Sequence, residues 1–511
     1  MCAIMEQFGQ NVKGTFSFFD RMIIDGYIQP LTMEFRRVDA LSRLGILYKD
    51  FTAHFHSVTE QIKQRVEGMA RDLGRAVIYL DSPKISKEET AKKCLAEQPT
   101  EDGLICVIKT LEMCKSARVC GDGSGKLTVK TSNTKCLHYY LYYQDKEYGF
   151  MFVRIQTWFP FNVRVYINGR EAMKSTFEKN GISFQCYDNS FTHISDVDKA
   201  QDLADKFDAA KLRRHLDSMV YAINPFLDTV LKTFGQGCYW CVSQCEYATD
   251  IMFQERSLLE DIYPSLVGHA FYDLNCTDVF TFMGRKLSPQ FQGEALSDYK
   301  SRPIGCRVKF RCKANSIKIY DKFSVLRVET TINDPHDFKI YGTIRHKDGT
   351  ETKGWKPMGK SVSNLYRYAE ISRSCNHRLL HAMTDIVPVK SVLDEIGKIC
   401  DGITVNGKRV TGFNVWSAGV IRMMEAVSDG KYIIGGLRNQ DIRARVFPEL
   451  TDENKRSSKT SRLLRKLRQH GLIKKIPRTR RYQVTAKGRK IMGALLEFHH
   501  KDFPELVAKA T

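Results

Sequence analysis

Residues 452–488 read DENKRSSKTSRLLRKLRQHGLIKKIPRTRRYQVTAKG, and their pattern decides the fold of the last part of the chain. Asp452 starts a helix that runs to about His470, with Leu463, Leu464 and Leu467 at helical spacing and turned toward a core. Gly471 ends that helix at the C′ position, which favours a left-handed backbone. Leu472–Ile476 and Arg481–Val484 then make a short hairpin around the tip Pro477-Arg478-Thr479-Arg480, and Thr485 caps a last helix, Ala486–His499. Working back, Asn439–Val446 reads as a helix with Asn439 as its N-cap, and Trp416–Val427 as another. Three helices, a hairpin and a closing helix predict a winged helix-turn-helix over residues 410–511.

The same stretch holds the charge. The chain is +21 overall, and residues 431–511 alone carry 21 Lys+Arg against 7 Asp+Glu, or +14, which is two thirds of the excess. Lys455, Arg456, Lys459, Arg462, Arg465 and Lys466 lie on the third helix, and Arg478, Arg480 and Arg481 on the hairpin. Arg462 and Arg465, three apart, share a helix face, as do Lys455 and Lys459, four apart. A helix fits the major groove, and arginines suit a minor groove or phosphates. Cations concentrated this way favour a polyphosphate partner, because neutralising phosphates releases condensed counterions. DNA is the expected partner and RNA the alternative. A solvated face on a protein-binding winged helix is the plainer reading. The order helix, Gly-Leu-Ile, hairpin, Val-Thr-Ala-Lys-Gly resembles the winged-helix domains of bacterial transcriptional regulators of the multiple-antibiotic-resistance type.

Bulk properties exclude several classes. Hydrophobic content of 42% and aromatic content of 11% suit packed cores rather than disorder. No window approaches ~20 uninterrupted apolar residues, so neither a membrane span nor a membrane partner is expected. Met1–Lys13 is polar and lacks a cleavable apolar segment. Fifteen scattered cysteines, an odd number, suit a reducing compartment, so a cytoplasmic chain is expected.

The length suggests roughly three domains: an α/β region over 1–135, a mixed sheet and helix region over 136–400, and the winged helix over 410–511. The class is α+β. In the first, Ile62, Val66, Met69 and Leu73 have helical spacing within His56–Gly74. Ala76–Leu80, a charged helix over Lys87–Glu97 and Leu104–Ile108 form a strand–helix–strand unit. Gly121–Lys135 reads as a loop or hairpin tip. Leu137–Tyr143, Phe150–Trp158 and Asn162–Ile167 read as strands, with Asn168-Gly169 as a turn signal. Ser175–Lys179 is helical and Ile182–Tyr187 a strand. Helices follow over 196–235, 254–274 and 360–400, with basic strands over 305–332 between the last two.

Within that basic stretch, Ser316–Asp321 carries Tyr320 and Asp321, followed by Lys322, and Ser324–Ile332 carries Arg327 and Glu329. Alternation puts Arg327, Glu329 and Thr331 on one face, and Lys318 and Tyr320 together on the neighbouring strand. A tyrosine, a lysine and a carboxylate therefore converge. The string Ile-Tyr-Asp-Lys … Leu-Arg-Val-Glu resembles the late motif of rolling-circle replication initiators of plasmids and filamentous phages. That resemblance implies a DNA nicking and joining activity with Tyr320 as nucleophile and Lys322, more loosely Arg311 or Lys313, neutralising phosphate. It also implies Glu329, with Asp321 nearby, on Mg²⁺ or Mn²⁺. Glu246 and Asp250, four apart, are further metal candidates if their segment is helical. The alternative is a strand aromatic beside an ordinary Lys–Glu cross-strand pair. The chain as a whole resembles an uncharacterised family of bacterial proteins of similar length, which implies no activity.

Weaker constellations complete the reading. Cys238, Cys241 and Cys245 lack a fourth ligand at standard spacing, so zinc is not expected and buried thiols are. His54 and His56 flank Phe55 in a metal-like triplet, but at the edge of a helix. Trp158 and Phe161, near Arg154 and Arg164, are candidates for stacking single-stranded bases, or else sheet core. The function expected is a mobile-element or replication-initiator-like DNA nicking protein. The alternatives are a non-catalytic regulator, with a homodimer open, and an RNA-binding ribonucleoprotein component.

Overall fold

A computed structural model gives the chain an α+β architecture. It describes residues 9–497 except 122, 273, 289, 291–294, 303–304, 347, 385–395, 406, 430–431, 433–435 and 478, together with residue 499. Two units make up the chain: residues 1–264 with 275–382, and residues 265–274 with 383–511. No helix among the described residues is long and apolar enough to cross a membrane.

The first unit is built on one sheet of eleven strands. In chain order these are β1 (Val12–Tyr27), β2 (Val77–Tyr79), β3 (Gly103–Gly121), β4 (Leu127–Asp145), β5 (Gly149–Gln156) and β6 (Val163–Asn168). After a separate hairpin of β7 (Phe184–Tyr187) and β8 (Ser190–Ile194) come β9 (Tyr239–Phe253), β10 (Leu296–Ser301), β11 (Cys306–Cys312), β12 (Asn315–Lys322) and β13 (Val325–Ile332). Their spatial order is β10-β11-β12-β13-β9-β1-β6-β5-β4-β3-β2. The ranges 1–135 and 136–400, expected to be separate domains, thus share one sheet, and residue 135 falls inside β4. The expected loop over 121–135 is shorter than its polar composition suggests, because its second half continues β4 in register with β3.

The expected strand–helix–strand unit is present: helix α2 (Lys87–Glu97) joins β2 to its parallel neighbour β3, and Ser86 caps it by accepting from the Glu89 amide. Before it, helix α1 (Phe51–Asp72) buries Phe55, Ile62 and Val66. Asn168 accepts from the Glu171 amide and so opens helix α3 (Gly169–Lys179), where a turn was expected. Gly169 is required there, since a Cβ would lie 2.1 Å from the Phe19 carbonyl oxygen. Helix α4 (Val197–Asp205) follows the β7–β8 hairpin. Phe177, Phe191 and Ala200 from these elements pack on Phe16, Phe18 and Ala248 of β1 and β9. Residues alternate along a strand, so the opposite face of β9 and β13 presents Thr249 and Thr330. There they meet Asn376 of helix α5 (Leu365–Thr384). A two-stranded ribbon, β14 (Lys339–Arg345) and β15 (Glu351–Pro357), pairs only with itself among the described residues.

The second unit contains the short hairpin β16 (Ile403–Val405) and β17 (Lys408–Val410). Helices α6 (Ala418–Ser428), α7 (Asn439–Val446) and α8 (Glu453–Gln469) follow, then the hairpin β18 (Ile473–Lys475) and β19 (Tyr482–Val484), then α9 (Ala486–Glu497). Met424, Val427, Ile442, Leu464, Leu467 and Ile491 form its core. Asp452 caps α8 by accepting from the Asn454 and Lys455 amides, and Gly471 takes φ +74° just past its end. Asn439 is the first helical residue of α7 rather than its cap; its amide donates to the Ser457 carbonyl and the Ser461 hydroxyl.

Candidate functional site

Helix α8 divides its cations into two sets. Thr460, Leu464 and Leu467 turn inward, while Lys455, Lys459, Arg462 and Arg465 stand exposed on the opposite side. Among the described residues neither Arg462 nor Arg465 has an acidic partner. Arg456 and Lys466, expected on the same nucleic-acid face, serve the fold instead. Arg456 donates to the Phe447 and Leu450 carbonyls and pairs with Glu453 at 2.7 Å. Lys466 donates to the Gly412 carbonyl at 2.6 Å and lies over the Phe413 ring. On the hairpin, Arg480 is exposed and Arg481 bonds the Gly436 carbonyl at 3.3 Å. Arg478 lies outside the described residues.

In the first unit, the expected tyrosine and three of the expected carboxylates, Glu246, Asp250 and Glu329, meet on one face of β12, β13, β9 and β1. The register pairs Lys318 with Glu329, Tyr320 with Arg327, Arg327 with Asp250, and Glu246 with both Thr331 and Arg21. A bulge in β1 between Phe19 and Arg21 adds Asp20 to the group. Arg327 is fully buried at its centre, 2.8 Å from Asp20 and 3.0 Å from Asp250. It also lies 3.6 Å from Glu329. Arg21 grips Glu246 with two bonds of 2.6 and 2.8 Å, and Lys318 meets Glu329 at 2.5 Å.

Burial and charge set these groups apart. Burial and the neighbouring Glu329 push the Glu246 carboxyl up to about 7. Burial pushes Asp250 up to about 6 against the pull of Arg327. Glu329, although buried, is held below the usual carboxylate range by Lys318 and Arg327. Counting Glu246 as protonated, three carboxylates face three cations, and the cluster is neutral inside the sheet.

Tyr320 is only 2% exposed and donates to Glu329 at 2.8 Å while accepting from Asn189 at 3.2 Å. Burial, reinforced by Glu329, raises its hydroxyl well above the ordinary phenol range. Attack on a phosphodiester needs an accessible phenolate, and this placement gives the Tyr320 hydroxyl neither access nor a lowered pKa. Lys322 pairs with Asp188 over the Tyr320 ring. Asp321 points to the other face of β12 and accepts from the Cys306 amide at 3.0 Å, away from Glu329. Arg311 bonds Asp298 and Lys313 bonds Asp337. Glu246 and Asp250 do share a face, but of a strand, since four residues span two pleats as readily as one helical turn.

Carboxylate oxygens of Asp20, Glu246 and Glu329 lie within 4.8 Å of one another, a spacing that Mg²⁺ or Mn²⁺ could bridge. Each of the three already meets a protein cation: Arg327, Arg21 and Lys318 respectively. The donor set is therefore engaged, and it does not fit a resident metal without displacing those cations. The three cysteines lie along β9 or just before it, and among the described residues no cysteine joins a metal-spaced group. His54 and His56 lie on α1, where His56 packs against Trp158. Phe161 is core, packed among Phe55, Phe159 and Phe226, so it cannot stack a base.

Two features escaped the sequence reading. Asp20 sits at a bulge that only the pairing reveals. The pair Lys309 and Lys318, directly opposite across β11–β12, joins two like charges, and burial with the neighbouring cations holds Lys309 below its usual range.

Comparison with known protein families, with curated proteins and with solved structures finds no match to this chain.

Proposed function

We propose that the chain is a nucleic-acid-binding protein whose second unit is a winged helix-turn-helix, with α8 seated in the major groove of duplex DNA and β18–β19 as the wing. One observation carries this reading. The α8 cations Arg456 and Lys466 are tied to backbone carbonyls, whereas Arg462 and Arg465 have no acidic partner among the described residues and share the exposed face with Lys455, 3.7 Å from Asp452, and Lys459, over the Phe447 ring. Exposed lysines and arginines on one helix face, far in excess of acids, meet the geometry and charge of a duplex groove.

Site recognition without strand cleavage is the role favoured here. The buried, hydrogen-bonded Tyr320 weighs against the nicking chemistry of a replication initiator. Groove binding of this kind needs no Mg²⁺ or Mn²⁺. Of the two central aromatics on which the ribonucleoprotein alternative leaned, Phe161 is part of the core and Trp158 is half-buried against His56.

The test is binding of duplex DNA as a function of salt. Each phosphate contact contributes about −0.9 to the slope of log K against log salt, so Arg462→Ala with Arg465→Ala should reduce the slope by about 1.8. Affinity should fall across all duplex sequences. An unchanged slope, or no duplex binding in dilute salt, would overturn the assignment.

A further inference from the structure

The β14–β15 ribbon is an unexplained surface. Among the described residues its strands pair only with each other, in the register Lys339–Pro357, Tyr341–Trp355, Thr343–Lys353 and Arg345–Glu351. Partners opposite each other share a face, so one side of the ribbon presents Lys339, Tyr341, Arg345, Lys353 and Trp355 together. Trp355 is 67% exposed and Tyr341 53%. Their rings meet edge to face at 5.7 Å, an arrangement that leaves ring surface open to solvent.

Two of the charges around the rings are spent on the ribbon itself and two are not. Arg345 pairs with Glu351 at 2.7 Å, and Lys356 bonds the Thr343 carbonyl. Lys339 and Lys353 have no acidic partner among the described residues. Each stands one same-face step from an aromatic, about 6.8 Å along its strand. Two open aromatics bracketed by free lysines would be a poor protein-docking core, where charge is depleted. They are the elements of a single-strand platform, on which bases stack and cations hold the backbone.

We propose that the outer face of β14–β15 binds single-stranded nucleic acid, with unpaired bases stacked on Trp355 and Tyr341 and phosphates held by Lys339 and Lys353. This adds a second contact to the nucleic-acid reading and does not depend on α8.

The experiment uses the full chain and fluorescein-labelled oligo(dT), followed by anisotropy. The wild type should bind, with quenching of tryptophan emission that Trp355→Phe diminishes. Trp355→Ala with Tyr341→Ala should weaken binding by roughly 30-fold or more, as expected for two lost stacks, while duplex affinity stays unchanged. Both side chains are exposed, so an unaltered circular dichroism spectrum verifies folding. Oligo(U) in parallel distinguishes RNA from DNA as the natural strand. Failure of the wild type to bind either oligonucleotide, or equal binding by the double variant, overturns the proposal. Loss of duplex binding in Arg462→Ala with Arg465→Ala is read separately, so the two assignments can fail independently.

Discussion

Replacing Arg327 by methionine tests whether the buried cluster is a balanced structural network. Methionine keeps much of the volume but removes the charge that Asp20, Asp250 and Glu329 share at 2.8, 3.0 and 3.6 Å. Two cations, Arg21 and Lys318, would then face four carboxyls. Breaking a buried pair by removing one partner costs about 3–5 kcal/mol, a large share of the roughly 5–15 kcal/mol that holds a domain together. The cost should depend on pH. Asp250 already titrates near 6, and without Arg327 it titrates higher, so acid neutralises the stranded carboxylate. Each unit of that rise is about 1.4 kcal/mol, so the penalty at pH 5.5 should be about 1–2 kcal/mol smaller than at pH 8. Urea unfolding followed by tryptophan emission reads it, with Trp158, Trp240 and Trp355 all in the first unit. Adding Asp250→Asn should recover part of the loss. A penalty below about 1 kcal/mol at pH 8, or no recovery, would refute the balanced-network argument.

Two further outcomes follow from other contacts. Glu246 titrates near 7 when folded against about 4.5 unfolded, so between those values the folded state holds a proton that the unfolded chain has released, and stability falls as pH rises. Glu246→Gln should flatten the slope of unfolding free energy between pH 5 and 7, measured by urea titration at each pH. Arg456→Ala should lower the stability of the second unit by about 2 kcal/mol, through the bonds to Phe447 and Leu450. Arg456→Ala should also leave the salt slope of duplex binding unchanged, in contrast to the Arg462 and Arg465 variant, as differential scanning and anisotropy would show.

Legibility followed the strength of local signals. Lys87–Glu97 and Asn439–Val446 match the expected helices residue for residue, although Asn439 is the first helical residue and not the expected cap. The two central strands were the costliest omissions. β1 reads VKGTFSFFDRMIIDGY and is buried along most of its length, so the alternation that marks a half-exposed strand is missing. β9 offers Glu246 and Asp250 four apart, a spacing that both a helix and a strand satisfy, so the shared face was legible and the element was not. The basic character of α8 was plain in the sequence. Which cations stay available was not, since the acceptors of Arg456 and Lys466 are backbone carbonyls far along the chain or in a loop.

The cluster also accounts for why charge sits inside a sheet at all. β1 and β9 are separated by most of the first unit in sequence, and both faces of the pair are covered, by α3 and α4 on one side and α5 on the other. With apolar residues on both faces, a one-residue slip would cost little in hydrophobic contact alone. The polar residues remove that tolerance. Slipping β13 by one residue against β9 would carry Arg327 and Glu329 to the face where Thr330 and Thr249 meet Asn376, and would leave Asp250 and Asp20 without a cation. An unpaired buried carboxylate costs several kcal/mol, so the alternative register is excluded by electrostatics rather than by packing. Tyr320 belongs to that same arrangement: its hydroxyl donates to Glu329, and this bond holds β12 in step with β13.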